Sequence, residues 1–214
     1  MPLSAHGIDI EKYDHIIWDW NGTLLDDVDL CIDVIGRLLA IQDIPLPSRD
    51  EYREIFGFPV QGYYEQLGFD FERTTFEVLA DKYIADYDSR AHTAPLHDAA
   101  IGVLKALDTL GKHQSILSAA REAHVVEMVA HFGLQDYFAD IYGIPDHHAR
   151  SKRARGLELI EAAHIPPERT SMIGDTDHDH EVGVAMGVDV LLVAHGHQSE
   201  ARLRAVHDKV APRL

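Results

Sequence analysis

Six residues spread along this chain of 214 residues could do chemistry together if the fold gathers them. They are Asp19, Asn21, Ser118, Lys152, Asp175 and Asp179. Carboxylates are the hard oxygen ligands that Mg²⁺ prefers, and Mg²⁺ commonly binds substrate phosphates as well. A hydroxyl and an ammonium suit the remaining oxygens of a phosphate. These residue types therefore predict a site for Mg²⁺ and a phosphate.

Predicted strands position these residues. The segments "HIIWDW" (15–20), "HQSILS" (113–118) and "TSMIG" (170–174) read as strands, and each ends at or near one of the polar groups. From residue 95 onward, helical and strand patterns alternate, which predicts a doubly wound, mostly parallel α/β sheet. Because ligands bind beyond the carboxyl ends of such strands, we expect the polar residues at one edge.

Residues 26–92 differ from the rest because they carry only helical patterns and are rich in Phe and Tyr. Apolar residues recur at helical spacing from Val28 to Leu39, and Ser48 with Glu51 matches a helix capping box. The prediction is an α/β core domain with an inserted all-helical cap domain. Their predicted bounds are 1–25 with 93–214 for the core and 26–92 for the cap.

Composition limits the classes of partner. The formal net charge is −17, with no Lys/Arg block to offset it, so nucleic acid and anionic membranes are disfavoured as partners. The single cysteine, Cys31, can form no internal disulfide. The N-terminal residues lack a signal-peptide pattern and no apolar run reaches membrane-spanning length, so we expect a cytoplasmic protein.

The order of the motifs resembles the haloacid dehalogenase (HAD) superfamily. That order is Asp-x-x-Gly-Thr, then a strand ending in Ser, then Lys, then Gly-Asp-x-x-x-Asp. The cap inserted after the first motif resembles the C1-cap branch, and the ending "GDTDHDHEVGVAMGVDVLLVAHGHQS" resembles phosphoglycolate phosphatase-like proteins. The resemblance implies a Rossmann-like HAD core and a Mg²⁺-dependent phosphatase of a small phosphorylated metabolite.

The resemblance also implies roles for individual residues. Asp19 would attack phosphorus and become a phosphoaspartate. The implied Mg²⁺ ligands are the carboxylates of Asp19 and Asp175 and the backbone carbonyl of Asn21, with Asp179 helping through water or by positioning Lys152. The implied substrate contacts are Gly22, Thr23, Ser118, Ala119 and Lys152.

Asn21 departs from the phosphatase pattern, which has an acid at this position to protonate the leaving group and then activate water. An amide cannot do either, although such help is typically worth ~10²–10⁴-fold in rate. Three interpretations stay open: a leaving group that needs little protonation, a proton from another residue (Asp26, Asp177, His178 or a cap residue), or a slow second step in a phosphate-responsive binder. The Asn-Gly pair could also deamidate to an acid.

Several further residues are weaker candidates. Asp177 reads as a solvated turn residue, His178 and His195 could contact substrate, and Phe58 and Arg53 could do so from the cap. Histidine clusters at 147–148, 178–180 and 195–197 have spacings that could bind Zn²⁺, although scattered surface histidines explain them better.

Rival functions are a dehalogenase, which would not need Mg²⁺, and a phosphonatase, which would need a cap lysine where the cap offers only Lys82. A non-catalytic phosphate-binding regulatory module is a rival from another class. The sequence leaves the substrate and the oligomeric state open.

Overall fold

A six-stranded, entirely parallel sheet forms the centre of the protein, as seen in a computed structural model that describes residues 9–145 and 151–214. The strands lie in the order β3-β2-β1-β4-β5-β6. Their bounds are β1 His15–Trp18, β2 His113–Arg121, β3 Asp140–Ile144, β4 Thr170–Gly174, β5 Asp189–Val193 and β6 Val210–Ala211. The order reverses beside β1, so β1 and β4 flank the point where ligands bind in folds of this kind.

Helices cover both faces of the sheet, which gives the doubly wound arrangement. Five of them follow the helical insertion: α5 Ala100–Thr109, α6 Glu122–His131, α7 Lys152–Ala163, α8 Asp177–Met186 and α9 Glu200–Val206. Alternate residues of β1 point into two different cores. Ile16 and Trp18 pack with Val125 and Met128 of α6, whereas Ile17 packs with residues of α7 and α8. A strand buried on both faces explains the continuous apolar run in the sequence.

The segment between β1 and α5 is helical, as predicted. It contains α1 Val28–Ile41, α2 Arg49–Ile55, α3 Val60–Leu67 and α4 Phe76–Arg90. We call residues 28–90 the helical insertion. Ser48 and Glu51 form the predicted capping box of α2. The apolar faces of α1 and α4 pack together, with Ile35 and Leu79 buried between them and their neighbours. The division into core and cap domains stays a prediction.

The predicted fold class is confirmed, and several local predictions need correction. β1 ends at Trp18 rather than at residue 20, because the chain turns immediately after Asp19. β2 continues past Ser118 to Arg121, with a register shift against β3 between Leu117 and Arg121. The sequence patterns also did not predict α9 and β6, which extend the sheet on its far edge. Among the described residues, no helix is both long enough and apolar enough to cross a bilayer.

Candidate active site

A tight turn follows β1 and fixes the first polar motif. The Asp19 amide donates to the Ile173 carbonyl of β4 at 2.8 Å, and the amides of Leu24 and Leu25 both donate to the Trp20 carbonyl at 3.0 Å. Gly22 has a φ of +74°, and a Cβ there would lie 2.3 Å from Oδ2 of Asp175. Only glycine fits this position, so the turn brings the backbone directly against a carboxylate from β4.

Three buried carboxylates meet at the carboxyl ends of β1 and β4. Asp19, Asp175 and Asp179 each offer an oxygen, and these atoms all lie within 4.8 Å of one another. Oγ1 of Thr23 lies 3.2 Å from Oδ2 of Asp19 and 2.9 Å from Oδ1 of Asp175, between the two side chains. The structure thus brings together acids that are 156 and 160 positions apart in the chain, 175 − 19 and 179 − 19.

Lys152 supplies the positive charge of this cluster. It is the first residue of α7, which Ser151 caps by accepting from the Ala154 amide. The Lys152 ammonium is buried, donates to Oδ1 of Asp179 at 2.5 Å and also hydrogen-bonds Oδ1 of Asp19. One lysine therefore connects Asp19, which directly follows β1, to the first turn of α8.

Asp179 is held rigidly by the start of its own helix. Thr176 and Asp179 form a capping box at the N-terminus of α8. Oδ2 of Asp179 accepts from the amides of Asp175 and Thr176, at 3.1 and 2.9 Å, and from Oγ1 of Thr176 at 2.7 Å. Its other oxygen faces Lys152. Because Oδ2 already accepts three hydrogen bonds and Oδ1 faces Lys152, Asp179 is suited to positioning that lysine.

The charges of the cluster do not balance within it. Burial raises the pKa of Asp19 well above its ordinary value; Lys152 opposes this rise, and the nearby Asp179 and Asp175 add to it. Burial also raises the pKa of Asp175, despite the opposing charge of His197. At Asp179, burial is outweighed by Lys152, so its pKa is lowered. Three carboxylates share one ammonium, and hard oxygen donors with excess negative charge fit a divalent cation such as Mg²⁺.

The Asn21 side chain points toward the helical insertion. Its Nδ2 donates to Oδ2 of Asp27 at 2.8 Å and to the Tyr87 hydroxyl at 2.6 Å. The Tyr87 hydroxyl in turn donates to the same Asp27 oxygen at 2.6 Å, and the Gly22 amide donates to the other at 2.9 Å. The amide of Asn21 is thus part of a buried network that joins the turn after β1 to α1 and α4.

A buried ion pair completes that network. His197 Nε2 lies 3.3 Å from Oδ1 of Asp27, and its Nδ1 is 2.8 Å from the Tyr52 hydroxyl. Burial lowers the pKa of His197, but the Asp27 carboxylate outweighs it and raises the pKa to about 9. The same contacts lower the pKa of Asp27 to about 2 against the effect of burial. The His197 amide donates to Oδ2 of Asp175 at 2.6 Å, so this residue touches both the network and the acid cluster.

A cavity of about 490 Å³ opens from the acid cluster into the helical insertion. Six of the predicted site residues line it at one end: Asp19, Asn21, Ser118, Ala119, Lys152 and Asp179. Oγ of Ser118 accepts from the Ala120 amide at 3.0 Å, and the Ser118 side chain is almost completely buried. This volume falls within the usual range of small-molecule sites.

The fold agrees with a comparison against known protein families. A family model described as haloacid dehalogenase-like hydrolase matches residues 16–193. The chain belongs to this family. Similar HAD-family members support the assignment. A haloacid dehalogenase-like hydrolase from Streptococcus pneumoniae has the same fold, with a TM-score of 0.81 at 19% identity over 94% of this chain and 93% of that one.

Curated relatives carry several different names. A tyrosine-protein kinase, PtkA, from Mycobacterium tuberculosis is 28% identical over 184 residues, which are 85% of this chain and 62% of the relative. This HAD chain therefore spans less than two thirds of that kinase. A 5'-nucleotidase from Pseudomonas aeruginosa is 26% identical over 91% of this chain and 88% of the relative. A phosphoglycolate phosphatase from Mesorhizobium japonicum is 23% identical over 85% of this chain and 83% of the relative.

Two residues predicted to bind substrate lie behind the acid cluster of this HAD chain rather than on the cavity wall. Gly22 packs its backbone on Asp175, and the Thr23 hydroxyl lies against the Asp19 and Asp175 carboxylates. Neither residue lines the 490 Å³ cavity. Their observed contacts hold the carboxylates in place, and a direct role in binding stays a prediction.

Arg53 does not line the cavity, and its predicted substrate contact stays a prediction. Its guanidinium donates to three backbone carbonyls in the loop after β5, those of Ala194, Gly196 and Gln198, at 2.6 to 2.9 Å. Phe58 does line the cavity, and its ring stacks on His178 with centroids 4.7 Å apart. The arginine thus anchors the helical insertion, and the phenylalanine forms part of the wall.

Asp177 is not the solvated turn residue that the sequence suggested. It begins α8, and its carboxylate forms an ion pair with Arg202 at 2.7 Å and accepts from Gln198 Nε2 at 2.8 Å. Asp26 and His178 do not line the 490 Å³ cavity, whereas Asp27 does. Asp27 is therefore the acid that sequence reasoning missed, and only its position two residues beyond Leu25 at the start of a helix could have suggested it.

The described histidines do not form a zinc cluster of their own. Among the described residues, His197 is the only histidine in a group of three possible ligands, with Asp27 and Cys31. The ring of His195 stacks on that of His97 at 3.7 Å, and burial lowers its pKa to about 3. The pair at 147–148 lies outside the described residues. Lys82, which a phosphonatase would need, is exposed on α4 and does not line the cavity.

Proposed function

We propose that this protein is a Mg²⁺-dependent phosphatase of a small phosphorylated metabolite, acting through an aspartyl-phosphate on Asp19. One observation carries the proposal: Asp19 lines one end of a cavity, next to Asp175 and Asp179 and in contact with Lys152. The relatives named as a nucleotidase and a phosphoglycolate phosphatase support phosphoester hydrolysis. This combination favours a phosphatase over a dehalogenase, which has no need of a cation site.

The proposed reaction has two displacements. A carboxylate oxygen of Asp19 attacks phosphorus, and the bond from phosphorus to the leaving oxygen breaks, with the electron pair leaving on that oxygen. Water then attacks the phosphoaspartate, releasing phosphate and restoring the carboxylate. Lys152 and Ser118, at the same end of the cavity, are suited to holding the phosphoryl oxygens.

Asp19, Asp175, the Asn21 carbonyl and Asp179 are the residues we propose for the Mg²⁺ site. When bound, the ion would offset the negative charge of the phosphoryl group and of the carboxylates around it. Asp179 is already committed to Lys152 and to amides of α8, so we assign it mainly to positioning. The helical insertion would act as a cap over this site, with residues 26–92 as its domain and the crossings near 25–27 and 91–95 as hinges.

Asn21 sets the limit of this activity. Its amide can take no proton, and both of its observed Nδ2 contacts go to Asp27 and Tyr87. A leaving alkoxide would therefore depart without protonation by this residue, and water would attack without a base at this position. We propose that hydrolysis of alkyl phosphates is slow and that substrates with stable leaving groups react faster.

A screen of phosphorylated metabolites with and without Mg²⁺ tests the proposal, using the natural sequence, Asp19→Ala and Asn21→Asp. Turnover should require Mg²⁺ and fall roughly 10⁴-fold or more in Asp19→Ala. Asn21→Asp should raise turnover of alkyl phosphates by ~10²–10⁴-fold, since it restores an acid and base. Turnover that persists in Asp19→Ala would refute the assignment of the nucleophile.

The second candidate is a phosphate-binding regulatory protein with little turnover. The same Asn21 contacts favour it, because a phosphoaspartate that water attacks slowly would persist. Intact mass measurement after incubation with acetyl phosphate and Mg²⁺ separates the two. A phosphatase returns to the unmodified mass once acetyl phosphate is exhausted, whereas a long-lived phosphoprotein keeps the added mass.

A further inference from the structure

The wall of the cavity inside the helical insertion is aromatic. Eight phenylalanine and tyrosine side chains line it, including Tyr52, Phe56, Phe58, Tyr63, Phe76 and Tyr83. All come from α2, α3, α4 or the loops between them, whereas the phosphoryl end is lined by core residues. We propose that the leaving group of the substrate carries an aromatic ring without charged substituents, so that the protein acts on small aryl phosphates. This inference rests on the proposed function.

Six of the eight aromatic side chains, all except Tyr83 and Tyr87, form one connected set. Tyr52 and Phe56 stack with ring centroids 5.3 Å apart, and Phe56 meets the ring of Tyr63 edge to face, also at 5.3 Å. Tyr64 and Phe76 pack edge to face at 5.5 Å. These ring–ring distances are those that aromatic pairs favour. A substrate ring would therefore pack against aromatic side chains that already contact one another, and its apolar surface would be removed from water.

The charges on the wall argue against a charged leaving group. Of the described basic side chains that line the cavity, Lys152 is held by Asp19 and Asp179, and His197 is paired with Asp27. The other two, Arg121 and His124, are both bound to Asp88, the histidine at 3.5 Å. A carboxylate on the leaving group, as in phosphoglycolate, would thus compete with acids that are already in place. A neutral ring meets no such cost.

Asn21 gives an independent reason for the same class of substrate. A phenol has a pKa of about 10, so phenoxide leaves phosphorus far more readily than an alkoxide does. When Asp19 displaces it, the phosphorus–oxygen bond breaks, phenoxide departs with the electron pair, and it takes its proton from water. No acid is required at position 21. The chemistry at one end of the cavity and the aromatic wall at the other therefore suit the same molecule.

Binding of simple phosphonates to the full chain in Mg²⁺ tests this inference without any need for turnover. Benzylphosphonate, phosphonoacetate and methylphosphonate carry the same anionic group with an aromatic, a carboxylate or a methyl substituent. Isothermal titration calorimetry should give benzylphosphonate a dissociation constant roughly 10- to 100-fold below that of methylphosphonate, as burial of one aromatic ring predicts. Phosphonoacetate should bind no more tightly than methylphosphonate. Tighter binding of phosphonoacetate than of benzylphosphonate would overturn the proposal.

A variant that fills the cavity locates the ring. Ala80 of α4 lines the cavity, whereas Val78, two residues away on the same helix, is exposed and does not. Ala80→Phe should reduce the affinity for benzylphosphonate about tenfold or more, and Val78→Phe should leave it unchanged. Circular dichroism melting curves check that both variants fold. Equal benzylphosphonate affinity in folded Ala80→Phe would show that the ring binds elsewhere and would refute the proposal.

Turnover separates this inference from the proposed function. If acetyl phosphate neither phosphorylates Asp19 nor is hydrolysed, the phosphatase proposal fails, and the phosphonate titrations still decide the ligand class. If acetyl phosphate is hydrolysed but phenyl phosphate has no advantage over glycerol phosphate in kcat/KM, the phosphatase stands and the aryl preference is wrong.

Discussion

The edge of the sheet and the helical insertion hold the two ends of the same cavity by different means. At the sheet edge, ion pairs and charged hydrogen bonds fix the groups, as Lys152 does between Asp19 and Asp179. In the insertion, ring packing forms the wall, as between Phe56 and Tyr63. Charged groups fixed in advance stabilise developing charge, whereas an apolar wall distinguishes substrates by shape and burial. The contrast supports our proposal that the reaction takes place at the sheet edge and that the insertion selects the substrate.

The largest effect should come from breaking the charged end. Lys152→Met leaves Asp19 and Asp179 buried without their shared cation, which should lower the free energy of unfolding by about 3–5 kcal/mol. Activity should fall by ~10²–10³-fold or more, because the donor that we propose for the phosphoryl group is lost. Urea unfolding and steady-state kinetics measure the two effects. Lys105→Met, at an exposed position of α5, is the matched control; equal stability of the two variants would contradict the buried ion pair.

A smaller effect should come from the junction between the two regions. Tyr87→Phe removes the hydroxyl that donates to Asp27 and accepts from Asn21, each at 2.6 Å. The loss should cost about 1–3 kcal/mol in unfolding free energy, since two buried polar groups lose a partner. Tyr137→Phe provides the comparison, because that hydroxyl makes no hydrogen bond within residues 9–145 and 151–214. Indistinguishable urea midpoints would mean that the junction contributes little.

A third effect concerns pH and lies at the opposite end of β1. Burial lowers the pKa of His15 to about 3, with a contribution from His113. The unfolded chain therefore binds a proton at His15 near the ordinary pKa of 6.5, whereas the folded chain binds it only near pH 3. The contribution of neutral His15 to the free energy of unfolding is therefore complete above pH 6.5 and is lost as pH falls from 6.5 toward 3. One such proton gives a slope of about 1.4 kcal/mol per pH unit.

Replacing His15 should weaken this dependence of unfolding free energy on pH. Unfolding free energies of His15→Gln, measured between pH 6 and pH 4, should depend less on pH than those of the natural sequence. His131→Gln removes an exposed histidine of α6 and serves as the control. If both variants kept the natural slope, the acid sensitivity would come from other groups, such as the carboxylates of the sheet edge.

The sequence predicted the sheet, the insertion and the gathering of the acids because each depends on local patterns. Apolar runs with short spacing predicted β1 and β4, and the parallel topology then required Asp19 and Asp175 to share an edge. The capping box of Ser48 and Glu51 could be predicted from the sequence for the same reason. The roles of these residues in catalysis stay predictions.

What the sequence could not predict depends on contacts between distant segments. His197 was one of fifteen histidines, and only the folded chain brings it to Asp27. Arg53 was a weak candidate for a substrate contact, yet its guanidinium donates to three carbonyls of the loop after β5. Helical patterns were predicted for residues 26–92, which include Tyr87, but they could not show that its hydroxyl reaches Asn21. Long-range hydrogen bonds leave no periodic trace in a sequence.

The loop at residues 194–198 has a consequence for ligand binding as a whole. Its carbonyls accept from Arg53 of α2, and the amide of His197 donates to Asp175. A shift of α2 and a shift of Asp175 are therefore mechanically connected. Thermodynamic reciprocity then requires that, if a ligand in the cavity raises the affinity for a cation at the acid cluster by some factor, the cation raises the affinity for that ligand by the same factor.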